Sequence, residues 1–328
     1  MSITRRELIL VAGGAVAGAG ALLGHRAWLD RSRLAVTGGV PPRPTAQRYG
    51  HGAMPPTDLG PLSLDAATWP PKADIRAGQT TRRVTLEVID QAIGISVDRI
   101  FEAWSFGGTV PGPTLRANEG DLLEITLRNR TAHAHNLHFH GSHEVEADGW
   151  EPVPPGGEAV YRLTAGPYGV HPYHCDFTPS EDHIANGLYG LLIVDPPHGR
   201  EPAEELVLVL CGFDTDGDGK SDLFGWNGPA GFYAKYPIKV DTGRLVRAYV
   251  ANFVSDIPLA SFHLHAEMFD VYRNGTRREP DERTDVLSLG PVERAVIEFR
   301  LPRRGRYMFH PHQRALAEHG AMGWFSAV

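Results

Sequence analysis

Nine histidines and one cysteine in this chain stand at spacings that suit metal ligation. His135, His138 and His140 form a His-x-x-His-x-His run. His174-Cys175-Asp176 follows, then His183, and the pairs His263/His265 and His310/His312 complete the set. One thiol with nine imidazoles is a donor set for soft-to-borderline transition ions, and copper fits it best. A lone His-x-His pair is commonly a solvated strand face. Three such pairs beside a His-Cys dipeptide are a metal signal.

The elements that must position these residues are strands. A strand aims successive side chains at opposite faces, so residues two apart share a face. His138 and His140 point one way, while His135, at odd offset, can point the other. By the same alternation His174 and Asp176 flank Cys175 and point away from it. Two donor sets follow. His135, Cys175 and, from the loop that follows, His183 make a thiolate with two imidazoles, the donors of a blue copper site with a weak axial ligand. Leu188, five residues past His183, stands at that axial position and brings no good donor. Absence of a thioether there raises the reduction potential, because the oxidised ion loses electron density. The second set joins His138, His140 and His174 to His263, His265, His310 and His312. Seven imidazoles exceed what one copper uses, which points to a cluster.

An internal repeat places these motifs. Gly120–Asn129, before the first His-x-His pair, is answered at equal length by Gly243–Asn252 before the second. Gly169–His174 is answered by Gly305–His310. Each half alternates apolar and polar residues between turn signals, and the 37 glycines and 26 prolines favour short strands over long helices. The expected fold class is all-β, with two tandem β-sandwiches. The expected boundaries are an export signal at 1–30, a Pro/Gly-rich arm at 31–79, a first domain at 80–198 and a second at 199–328.

At the N-terminus, Arg5-Arg6 precedes a short, weakly hydrophobic run to Gly24, similar to a twin-arginine export signal. Export implies a periplasmic, cell-surface or secreted protein. The run is too short and glycine-rich for a good membrane span. A net charge of −7 without a basic stripe argues against nucleic acid as a partner. Two cysteines in an exported protein could form a disulfide, but Cys175 lies among ligands and Cys211 ends an apolar run, so both are expected free.

These motifs resemble the multicopper oxidases, specifically the two-domain, laccase-like group built from Greek-key cupredoxin domains. The resemblance is carried by Pro111-Gly-Pro-Thr-Leu-Arg116 with Gly120-Asp121, by His135–Gly141, by His174-Cys175 with His183–Gly190, and by Ser261–His265 and Phe309–Gln313. It covers about residues 80–328. It implies a type 1 copper that takes single electrons from a small-molecule reductant, and a trinuclear cluster that reduces oxygen to water. The His174-Cys175 link would join them. It places the type 2 copper on His138 and His263, and the type 3 pair on His140, His174, His265, His310 and His312, about four coppers per subunit. Pro311 stands where a second blue site would need its cysteine. A homotrimer is implied, with each cluster between the first domain of one subunit and the second domain of a neighbour.

One departure matters. The family has histidine where this chain has Asp176. A carboxylate there could complete the type 3 pair, relay protons, or leave one copper weakly held, so His174, Cys175 and Asp176 are the residues on which catalysis would turn. His319 lies eight residues past Pro311, as His183 lies eight past Cys175, and reads as a relic of a lost blue site or as a rim residue, the relic being preferred. His133, His143 and His171 read as surface, loop or structural histidines, and Glu181 and Asp182 as solvated loop charges. Asp214, Asp216, Asp218 and Asp222 resemble the start of a calcium loop that lacks its closing glutamate, or a solvated acidic turn. Two rival functions remain. Copper nitrite reductases share the architecture but carry aspartate at the position of His138, and a non-catalytic copper carrier would bind fewer ions.

Overall fold

The computed structural model describes residues 80–328 and the backbone of the short strand Gln47–Arg48. The expected export signal at 1–30 and almost all of the arm at 31–79 lie outside the described residues. No helix among the described residues is long and apolar enough to cross a membrane.

The expected all-β architecture is present, and the described strands form four sheets. Residues 81–195 supply a sheet with Thr81–Gly94 and Leu122–Asn129 at its centre, and a facing one ordered Leu115–Asn118, Tyr189–Asp195, Gly169–His174, His138–Phe139. Residues 204–327 repeat the plan with Glu204–Phe213, Leu245–Asn252 and Arg294–Arg300 in one sheet. Ala260–Leu264, Gly305–His310 and Gly323–Ala327 lie in the other. Each pair of sheets is a cupredoxin-like sandwich.

The alternation that predicts strands also explains how the sandwiches join. In Glu204–Phe213, Leu206, Leu208 and Leu210 enter the second sandwich's own core, with Trp226, Phe262 and Phe309. Val207, Val209 and Cys211 point the other way, into a shared core with Tyr189, Leu191 and Ile193 of the first sandwich. Tyr189 stacks on Phe253 across this joint, with ring centroids 4.3 Å apart and planes 9° from parallel. Such aromatic pairs add about 0.5–1.5 kcal/mol beyond the area they bury. Both cysteines are free, as expected. Burial among these apolar groups pushes the Cys211 thiol up to about 12.

The joint also carries charge. Arg116 makes a two-pronged contact with Asp195, at 2.6 and 2.7 Å, and reaches Glu205 at 2.7 Å. Glu205 in turn meets Arg247 at 3.2 Å, and Arg247 meets Glu298 at 2.6 Å. All five side chains are largely buried. Each charge has an opposite neighbour, the condition under which such groups tolerate burial.

Candidate metal centre

The first donor set converges. Cys175 Sγ lies 3.2 Å from His183 Nδ1 and 3.9 Å from His135 Nδ1, and the two nitrogens are 3.2 Å apart. Bonds of about 2.0 Å to nitrogen and about 2.3 Å to sulfur let one ion reach all three. The pocket is fixed from behind. The Thr131 hydroxyl meets His135 Nε2 at 2.8 Å, leaving Nδ1 for a metal. The Asn136 N–H points at Sγ from 3.4 Å, while Asn136 Oδ1 accepts the Asp176 N–H at 2.7 Å. Leu188 packs in the same core as Cys175, and its carbonyl accepts the Cys175 N–H at 3.0 Å.

Burial, then the neighbouring His183 and His133, pushes His135 down to about 3, and burial likewise pushes His183 down to about 4. Both rings are therefore neutral near pH 7 and offer lone pairs. Burial pushes the Cys175 thiol up to about 12, so an ion binding here displaces its proton. His183 sits inside a six-residue helix, Ser180–Ala185, and not in the expected loop. Glu181 and Asp182 occupy that helix's first turn, where negative charge is favourable.

The imidazole set is built twice in one register. His138 pairs with His174 across adjacent strands, and His263 with His310. The His140 N–H donates to the Pro172 carbonyl as the His265 N–H donates to that of Met308. His174 and His310 each turn Nδ1 onto the carbonyl of the next residue, at 3.1 and 2.8 Å, leaving Nε2 forward. Nε2 of His140 and His174 then lie 3.0 Å apart, and those of His265 and His310 lie 2.9 Å apart. The His312 ring joins His263 at 4.6 Å between centroids. Donor atoms of His138, His140 and His174 gather within 4.8 Å of one another, as do those of His263, His265 and His310. Burial pushes His140 down to about 3 and lowers His174, so these rings too are neutral. The seven imidazoles form two groups within one chain, one on each sandwich.

Sequence reasoning misses Asp148. Its Oδ1 lies 2.7 Å from His138 Nδ1 and 3.7 Å from His143 Nε2, so it holds the His138 ring while Nε2 faces forward. His143 lies on the connecting loop, as expected, with Nε2 on the Phe139 carbonyl at 2.9 Å. Gly149 makes the approach feasible, since at φ +75° a Cβ there would overlap the Leu137 carbonyl oxygen. The Asp-Gly dipeptide eight residues past His140 is the available signal. His171 is buried with Nε2 on the Pro167 carbonyl, a structural role as expected.

The structure corrects the expectation for His319. The segment between paired strand positions is three residues shorter in the second half, since Tyr173 faces Gly190 but Phe309 faces Gly323. The Leu188 N–H closes on the His183 carbonyl as the Ala321 N–H closes on that of Leu316. Leu316, not His319, therefore occupies the place of His183, and His319 corresponds to Asn186. At the places of His135, Cys175, His183 and Leu188 the second sandwich has Ala260, Pro311, Leu316 and Ala321, all buried. Apolar core fills the place of a second blue site.

The carboxylates stand apart from the imidazole groups. Asp176 makes no side-chain hydrogen bond or ion pair among the described residues, and it does not gather with His138, His140 and His174. The chain leaves the strand at His174 and turns toward Asn136, so strict alternation fails there. In the acidic loop Asp214, Asp216 and Asp218 come together, but Asp222 turns away to Thr215. Asp214 already accepts the N–H groups of Asp216, Gly217 and Gly219. Of the four residues that resemble a calcium loop, Asp214, Asp216 and Asp218 gather and Asp222 does not, an arrangement that also suits an acidic turn.

Comparison with known proteins agrees with this geometry. Two family profiles, each described as multicopper oxidase, match residues 92–199 and 213–328. A solved structure described as a multicopper oxidase is 37% identical, with TM-score 0.77, over 81% of this chain and 96% of that one. A copper-containing nitrite reductase of Neisseria meningitidis is 29% identical over 80% of this chain and 71% of its own length. The solved copper nitrite reductase of Nitrosomonas europaea is 28% identical, with TM-score 0.70, over 76% of this chain and 94% of that one.

Proposed function

The chain belongs to the multicopper oxidase family, and we propose that it is a laccase-like oxidase coupling oxidation of phenol-like or aromatic amine donors to reduction of oxygen to water. The observation that carries this reading is the division of donors. One buried thiol with two imidazoles stands next in sequence to a face of three imidazoles, and a matching four-imidazole face occurs on the second sandwich. Both donor sets suit copper, the first being thiolate-containing and the second all-imidazole. Copper, when bound, supplies one-electron acceptance at Cys175 and electron delivery to oxygen at the imidazoles.

The residues of this chain do the rest. Cys175, His135 and His183 would hold the electron-accepting ion, and Leu188, in the same core, offers it no donor atom. The peptide joining Cys175 to His174 links the two sites through bonds. His138, His140 and His174 form one face of the cluster, oriented by Asp148 and by the Cys175 carbonyl. His263, His265, His310 and His312 form the other face. The two groups are separate within one chain, which supports a homotrimer whose clusters each form between neighbouring subunits. Asp176, two residues past His174 in the chain, is the one carboxylate in the motif that could take a proton or a copper. The twin arginine supports export.

A nitrite reductase is the second reading, favoured by the named relatives. Copper counting with oxygen uptake on hydroquinone tests the choice. About four coppers per subunit with oxygen consumed supports the oxidase. About two coppers, nitrite consumed and no oxygen uptake would overturn it. Asp176→His run in parallel reports whether the carboxylate is competent, through the copper count as well as the rate.

A further inference from the structure

The Cys175 site is closed to direct contact with a donor. Cys175 and His135 are 0% exposed and His183 is 3% exposed, so the ligand residues are almost wholly covered. An electron must therefore cross a covering layer. Trp104 is that layer's central group. Its ring lies 5.1 Å from the His183 ring and 5.4 Å from the His135 ring, touching both imidazoles of the site. It is itself 4% exposed. The His133 ring packs on it at 4.9 Å, tilted by 41°, and His133 is half-buried. An unbroken ring path thus runs from a solvent-reached imidazole, through an indole, to both ligand rings.

The indole is held by construction. The Trp104 backbone N–H donates to the Asn186 carbonyl at 2.9 Å, tying its strand to the end of the helix that carries His183. Gly187 lets the two backbones meet, since a Cβ there would lie 2.8 Å from the Trp104 carbonyl oxygen. Apolar cover alone would be served by leucine or phenylalanine. A histidine stacked outward on a tryptophan is a conductive cover, because electron tunnelling decays less steeply through packed π-systems than across gaps.

We propose that Trp104 is the positioning residue for electron transfer into the Cys175 site, with His133 as the edge at which the donor docks. The inference rests on the proposed electron-accepting role of Cys175. One electron leaves the donor, which loses a proton to solvent, and is accepted by the cupric ion on Cys175, His135 and His183, which becomes cuprous. Trp104 stays closed-shell and forms no bond. A flat aromatic donor can stack on the His133 edge.

The test is anaerobic, so it does not depend on oxygen chemistry at the imidazole cluster. Copper-loaded wild type, Trp104→Leu, Trp104→Phe and His133→Ala are mixed with hydroquinone, and bleaching of the visible thiolate band is followed. Band position, midpoint potential and copper-induced quenching of tryptophan emission are recorded for each. The expected result is bleaching at least about tenfold slower in Trp104→Leu at unchanged potential, and severalfold slower in His133→Ala. Trp104→Phe should recover most of the rate, which a purely steric cover would not distinguish from Leu. Bleaching at the wild-type rate in Trp104→Leu, or equal slowing by Leu and Phe, would overturn the proposal. If Trp104→Leu fails to hold copper, an unslowed His133→Ala overturns it alone. A colourless wild type would remove the premise, whereas a coloured protein that takes up no oxygen would defeat only the oxidase reading.

Discussion

Gly187 is the position where the fold's local geometry bears most directly on the thiolate site. Its φ is +111°, and a Cβ would fall 2.5 Å from Val110 Cγ2 and 2.8 Å from the Trp104 carbonyl oxygen. Replacing it with alanine adds two penalties. A side chain at positive φ costs about 1–2 kcal/mol, and forcing a methyl into a packed interior costs about 1–3 kcal/mol. Gly187→Ala should therefore lose about 2–5 kcal/mol. Gly120 and Gly243 supply internal controls. They occupy equivalent places in the repeat, at φ +88° and +78°, and a Cβ at either would meet nothing within 4 Å. Alanine at either carries the φ penalty alone, about 1–2 kcal/mol.

Urea denaturation of the copper-free protein measures all three variants. The clash at Gly187 has a second consequence, because any relief must move the helix end away from Trp104. His183 moves with it, so the visible thiolate band of the copper-loaded Gly187→Ala protein should shift or weaken, while the control variants keep theirs. A Gly187→Ala protein no less stable than Gly243→Ala, with an unshifted band, would refute the reasoning.

Three further outcomes are expected. Asp148→Ala should weaken copper at the imidazole cluster by about 10–100-fold through loss of the His138 orienting contact. Copper titration should show the thiolate band unchanged. Arg247→Met should destabilise by about 3–5 kcal/mol, because it leaves Glu205 and Glu298 buried with one cation fewer. Glu205→Gln should cost less in the same denaturation assay, since Arg116 keeps Asp195 and Arg247 keeps Glu298. Burial raises the pKa of Asp121, but the N–H of Asn118, the Arg82 guanidinium and the N–H of Thr80 reverse this and set it below its ordinary value. A carboxylate so depressed contributes stability above its unfolded pKa of about 3.9 and loses it as pH falls through the folded value. Asp121→Asn should thus flatten the stability profile below about pH 4, measured by denaturation across pH.

What the chain discloses before folding depends on how far each inference reaches. Alternation along a strand is local, so the separation of Cys175 from His174 and the pairing of His138 with His140 are legible from parity. The repeat adds register, because two halves that begin at matched glycines and end at matched histidines must set His138 against His174 as they set His263 against His310. Both pairings occur. The inferences that fail are those that count residues through a turn. Equal spacing assigns His319 the place of His183, yet the shorter second segment gives that place to Leu316, and only the hydrogen bonds that close the helix reveal it. At Asp176 parity gives no guide, since the strand stops at His174.

Asp148 escapes for a different cause: its partner is ten residues away across a turn whose course Gly149 decides, and nothing in the spacing says where that turn returns. Ligands on strands are written in the sequence as periodicity. The residues that orient them lie on connections, where position is set by close contacts and by φ. This division explains the second sandwich. It keeps the strand-borne imidazoles of the repeat but has Ala260, Pro311, Leu316 and Ala321 where the first has its thiolate site. Apolar packing can replace a buried donor set that has no ion to satisfy it, and the imidazoles that remain in the second sandwich are those on its accessible face.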